Sequence, residues 1–349
     1  MGEPPCDAMQ VEQALDLLEA ELAAELPSHM RAFARAHAEG RQPPGAPLVA
    51  RLTSTLDTAR AACSHDVLRE RGLALLRLVA PLAIENDPAV IAARAHIPSW
   101  PALGILAAAR DGAARVRFGC PAIELLHRLH GVAEPPSVPP AEAVEGWQAR
   151  DGAVDHTAIV DAWQAIAARL GVTGAVRIDR SAKARPRTFV IEPHVEVVVV
   201  VPAVIDTPAA RFAVLHELGH AAVALAMPAG VPRVVDEAAA SYVARMAEPP
   251  SWLPPRWTSE LAAPARLRRT AIASLLDTVE RALPIVPDPP PGATPPWALW
   301  HDPGAQAAYV AAEAIADRLH RDLGRNPPRG QFARVLGFER DAVDRRARV

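Results

Sequence analysis

One short stretch constrains this chain more than any other: Ala213–Val223, AVLHELGHAAV. A run this apolar reads as a buried helix. Into it the chain sets two histidines, His216 and His220, and one carboxylate, Glu217. Left without partners, such groups are costly to bury. Whatever the chain folds into must bring another segment to them.

The spacing says what that segment would share. At 3.6 residues per turn, His216 and His220 project from one face, one turn apart. Two imidazoles so placed reach a single Zn2+ at about 2.0–2.1 Å. Glu217 is rotated by about 100° from His216, so it can flank an open coordination position instead of filling it. Zinc lowers the pKa of a bound water, and a carboxylate beside it takes the proton. His216-Glu217-Leu218-Gly219-His220 is thus an HExxH motif with hydrolase chemistry in it.

A third protein ligand is required. The metzincin pattern would place it at position 226, with glycine at 223; these are Ala226 and Val223, which excludes that family. The next predicted helix, beginning at Val234, opens with Asp236 and Glu237, its only acids before Glu248. The PAGVP turn, Pro228–Pro232, sends this helix back along the first and brings its start toward His220. Glu237 is the expected third ligand, with Asp236 as the alternative. Ser241, four residues after Glu237 on the same face, is expected to hydrogen-bond a ligand histidine.

The surroundings read as mainly α with one small β-sheet. Helices are predicted over Val11–Leu26, ending at Pro27, and then over Leu48–Ala62, Asp66–Ala80, Ala89–His96, Trp100–Arg117 and Pro121–Val132. Pro135–Pro140 (PPSVPP) marks a break, dividing a helical subdomain at 1–134 from a catalytic one at 135–349. Beyond it come a helix over Asp155–Leu170, stopped by Gly171, and three β-branched strands between Ala175 and Pro202. The second and third strands are joined by a turn around Glu192–His194. Thr207 and Pro208 form an N-cap and first helical position, opening a helix that carries the motif to about Met227. Further helices are predicted over Val234–Ala247, Pro264–Ala282, Ala305–Leu323 and Gln331–Ala347, with a proline-rich loop at Pro284–Pro296. VEVVVVVP, Val195–Pro202, is expected to hold substrate as an added strand at a sheet edge beside the zinc helix, a role compatible with its being a core strand.

The rest of the composition narrows the function classes. A net charge of −3 over 349 residues makes no electrostatic case for nucleic acid or a membrane surface. Cys6, Cys63 and Cys120 are widely spaced and odd in number, so neither a disulfide framework nor a cysteine-based zinc site is expected. The first ten residues lack a basic start and an apolar core, and no apolar run is long enough to cross a bilayer. A cytoplasmic location follows as an expectation. Of two tyrosines, Tyr242 reads as core. Tyr309, in a helix after the proline-rich loop, can donate to the oxyanion of a tetrahedral intermediate, as can His301 at the mouth of that helix. The remaining histidines lack ligand spacing and are expected to be structural.

HELGHA followed by a helix carrying DEAAAS resembles the gluzincin metallopeptidases, in which a downstream glutamate completes an HExxH site. Within that group the helix-rich build is similar to the thimet-oligopeptidase-like and carboxypeptidase Taq-like enzymes. Ile105–Val132 and Trp300–Leu319 resemble their N-terminal and C-terminal segments, the latter bringing a His and a Tyr toward the metal. The resemblance implies a zincin-like helical fold, a deep channel and short-peptide substrates. It further implies Zn2+ on His216, His220 and Glu237, with Glu217 as general base. HELGHA after a strand also resembles the domain that cleaves phage or stress repressors, although no basic recognition helix is visible here. A third possibility is a helical binding protein braced by a structural zinc.

Overall fold

Thr207 and Pro208 start the motif helix as their chemistry predicts. The Thr207 hydroxyl accepts from the Ala210 backbone N–H at 3.1 Å, and Pro208 occupies the first turn, where no intrahelical donor is needed. In the computed structural model the described residues are 8–41, 87–94, 109–116, 152–227, 231–246 and 303–347, with isolated positions between 54 and 119. They form α1 (Ala8–Ala38), α2 (Pro88–Arg94), α3 (His156–Leu170), β1 (Ala175–Ser181), β2 (Arg187–Glu192) and β3 (Glu196–Pro202). After the sheet come α4 (Pro208–Ala226), α5 (Arg233–Met246), α6 (Pro303–Leu323) and α7 (Gln331–Ala347). The described structure is therefore mostly helical, with one three-stranded sheet. None of its helices is long and apolar enough to cross a membrane. The predicted helices at 121–132 and 264–282, the break at 135–140 and the loop at 284–296 lie outside the described residues, as do all of 48–62 but Ser54, most of 66–80 and part of 100–117.

The sheet order is β1-β3-β2, with β3 parallel to β1 and antiparallel to β2. Valine fills β3 because both of its faces are covered. Val197, Val199 and Val201 point into a core shared with α3, α4, α5, α6 and α7, while Val198 and Val200 join Phe189, Ile191 and Ala34 under α1. This corrects the edge-binding expectation for VEVVVVVP: β3 is the central strand, hydrogen-bonded on both sides. In the described sheet the strand that borders the motif helix with one side unpaired is β2.

A second correction concerns Pro27, which does not end the first helix but lies inside α1. Proline inside a helix removes a hydrogen bond and crowds the preceding turn, at about 3 kcal/mol. The second half of α1 has an apolar face of its own, with Met30, Phe33, Ala34 and Ala38 seated on the sheet. Arg31 bonds Glu196 at 2.6 Å, and the Ser181 hydroxyl donates to the Ala38 carbonyl at 2.6 Å. Those tertiary contacts carry the helix past the proline.

The β2–β3 turn is anchored to the end of α4. His194 adopts φ 64°, a left-handed conformation uncommon outside glycine. Its backbone N–H donates to Ala224 O at 3.0 Å, and its ring Nδ1 donates to Leu225 O at 3.0 Å. These two bonds satisfy carbonyls that the last helical turn leaves open, and they fix the motif helix against the sheet.

Candidate metal centre

The site begins with a close approach of two helices. A Cβ on Gly219 would lie 2.6 Å from Ala240 Cα and 3.0 Å from Ala240 O. Only glycine at this point lets the backbones of α4 and α5 come so near. The facing stretch Ala238–Ala240 is small and fully buried. This contact carries the first turns of α5 up to the histidine face of α4.

Glu237 then meets both histidines. Its Oε2 lies 3.0 Å from His216 Nε2 and 3.5 Å from His220 Nε2. One donor atom from each of the three residues falls within 4.8 Å of the others. Metal–ligand bonds of about 2.0–2.1 Å in a tetrahedral site put neighbouring donors roughly 3.4 Å apart, so these spacings fit an ion among them. Two imidazoles and one carboxylate also match the donor chemistry of Zn2+. His216 and Glu237 are almost wholly buried, and the His220 side chain is 13% exposed. Phe212 stacks on His216 at 6.2 Å between ring centroids, and the two histidine rings meet edge to face at 4.8 Å.

The electrostatics of this cluster suit a cation. Burial by itself would lift the Glu237 carboxyl, but His220 and His216 outweigh it and hold the group well below the usual carboxylate range. Burial would likewise depress His220, yet Asp236 and Glu237 outweigh it and hold its imidazole well above the ordinary value. The two acids thus keep a positive charge in a buried place. A divalent ion supplies that charge with the imidazole deprotonated.

Asp236, the alternative ligand, takes a different place. Its Oδ1 lies 2.9 Å from His220 Nδ1, the ring nitrogen other than the one beside Glu237. Arg233 approaches the other oxygen of Glu237, with Nε 3.4 Å from Oε1. Ser241 departs from the expectation. Its hydroxyl donates to Glu313 Oε1 on α6 at 3.2 Å and so is not on a histidine. An α5 face directed at α6 explains the difference, because Arg245, one turn further on, pairs with Glu313 and with Asp317, the latter at 2.7 Å.

Glu217 stands outside the three-donor set. Its carboxylate Oε2 lies 2.8 Å from the Thr188 hydroxyl on β2, which is also 2.8 Å from the Glu217 carbonyl oxygen. Burial pushes the Glu217 carboxyl up, while His220 and the Thr188 bond pull it down; the net direction is upward. Thr188 was not among the predicted site residues. A threonine between Arg187 and the apolar run Phe189–Ile191 looks like any polar residue at a strand's start, and only the docking of β2 on α4 gives it this role.

Two predicted oxyanion donors remain. His301 lies outside the described residues. Tyr309 lies within α6. α6 packs on α5 through Ser241–Glu313 and Arg245–Asp317. Tyr242 is buried as expected, its hydroxyl donating to Gly324 O at 2.8 Å. No family model, curated protein or solved structure matches this chain.

Proposed function

We propose that this protein is a zinc-dependent peptidase of zincin-like build. One observation carries the reading: the donor atoms of His216, His220 and Glu237 lie within 4.8 Å of one another, with a fourth titratable group, Glu217, held apart by Thr188. A purely structural site would close with a fourth protein ligand, whereas three ligands with a carboxylate alongside is the arrangement of hydrolytic zinc sites. Bound there, Zn2+ would lower the pKa of water and polarise the scissile carbonyl.

The chain's own residues supply the rest. Glu217 takes a proton from water at its carboxylate and delivers it to the departing amine nitrogen. In the metal-free chain burial pushes this carboxyl up, toward the range in which a carboxyl both takes and gives a proton. An extended peptide added along β2 would pass the Thr188–Glu217 pair. Tyr309, at its position in α6, is the proposed oxyanion donor. Short, flexible peptides are the proposed substrates.

Glu217→Gln tests the reading. The variant should bind Zn2+ as the wild type does and lose peptide hydrolysis by about 10²–10⁴-fold, measured on a pooled peptide library. Hydrolysis unchanged in Glu217→Gln would overturn it.

A further inference from the structure

His220 is bracketed by two adjacent acids of one helix. Neighbouring residues of a helix diverge by about 100°, so Asp236 and Glu237 cannot both converge on one point. The structure resolves this by giving each acid its own nitrogen. Asp236 Oδ1 is 2.9 Å from Nδ1, an ion-pair contact off the line of a hydrogen bond, and Glu237 Oε2 is 3.5 Å from Nε2. Ser241 is engaged with Glu313 and Arg233 with Glu237, which leaves the far nitrogen of the histidine to Asp236. The Asp236 side chain is one-third exposed and His220 is largely buried, so the carboxylate sits at the rim and reaches inward.

We propose that Asp236 is a positioning residue for the candidate metal site and not a ligand. Its carboxylate keeps the proton of His220 on Nδ1 and thereby keeps the Nε2 lone pair directed at the space shared with Glu237 and His216. A neutral imidazole has one donor and one acceptor nitrogen, and a metal needs the acceptor. A carboxylate on the opposite nitrogen selects that tautomer, fixes the ring plane and makes the ligand nitrogen more basic. Asp236 therefore acts through His220 and touches neither metal nor substrate.

This inference rests on the metal reading, and the experiment separates the two. The full chain is stripped of metal and titrated with Zn2+ against a chromophoric chelator, alongside thermal melts of the metal-free proteins. Wild type is expected to bind Zn2+, and Glu237→Ala to lose most of that affinity. Asp236→Leu is expected to bind 10–100-fold more weakly, roughly the effect of losing such a partner, while its metal-free melt stays a single cooperative transition. Asp236→Asn, which keeps an oxygen beside Nδ1 without the charge, is expected to recover part of the loss. Wild-type affinity in Asp236→Leu overturns the positioning role alone. So does a loss as complete as that of Glu237→Ala, because Asp236 would then be a ligand. Should Asp236→Leu fail to fold, Asp236→Asn carries the test, and wild-type affinity in that variant overturns the role. A wild type that binds no Zn2+ overturns the metal reading and the role of Asp236 with it.

Discussion

At the residue scale the decisive distances are few. Glu217 and Glu237 are both glutamates within reach of His220, yet their environments drive them apart. Glu237 is held low by two imidazoles, and Glu217 is pushed up by burial with one hydroxyl bond opposing. A pair of carboxylates separated in this way is the usual mark of divided labour, one group staying charged and the other exchanging protons. Thr188 lies on that division, because its hydrogen bond lowers the Glu217 pKa. Thr188→Val removes the bond and should raise it further. If Glu217 must be ionised to accept the proton, the acidic limb of the rate–pH profile then moves to higher pH. The alkaline limb should stay in place, and kcat/KM should fall by about tenfold, roughly the worth of one hydrogen bond to a charged group. Profiles of kcat/KM against pH for the two proteins check this. An acidic limb that does not move would remove Glu217 from the titration.

At the scale of elements, the pairing of α4 with α5 makes the site possible. Two histidines on one helix face are available in any amphipathic context, but a third donor arrives only if a neighbouring helix comes close. Gly219 provides the clearance, with Ala240 facing it. Gly219→Ala would place a methyl group against backbone that cannot move as a side chain can. The helices should separate, with a loss of about 1–3 kcal/mol and, on the metal reading, weaker Zn2+ binding, although none of the three candidate donors has been touched. Thermal denaturation of the metal-free protein reads the first effect and chelator competition the second. The same scale explains Pro27. Pattern reasoning ends a helix at proline, yet the seats of Met30, Phe33 and Ala38 on the sheet outweigh the local loss.

At the scale of the whole molecule, the sheet holds the motif helix from one side and α6 holds α5 from the other. The second junction rests on Arg245, which is nearly buried between Glu313 and Asp317. Removing one partner of a buried pair leaves the other charge uncompensated. Arg245→Met should therefore destabilise the protein by about 3–5 kcal/mol, while Arg245→Met combined with Glu313→Leu should recover much of that. Equilibrium denaturation of the single and double variants measures both. An additive double variant would show that the contact carries no coupling.

The sequence by itself determined what lies within one element. His216 and His220 share a face because a helix turns every 3.6 residues. The bounds of α4 follow from Thr207 and Pro208, that of α3 from Gly171, and the strand character of β3 from its valines. Only the tertiary structure decided how elements face one another. It gave Glu237 to the histidine pair and Asp236 to the far side of His220. It sent Ser241 to Glu313, made β3 central and set Thr188 on Glu217. The physical reason is one of range. Periodicity and capping act through the backbone over a few residues and can be read from local order. The azimuth of one helix against another is set by packing between segments far apart in the chain, and a single missing Cβ at Gly219 decides it.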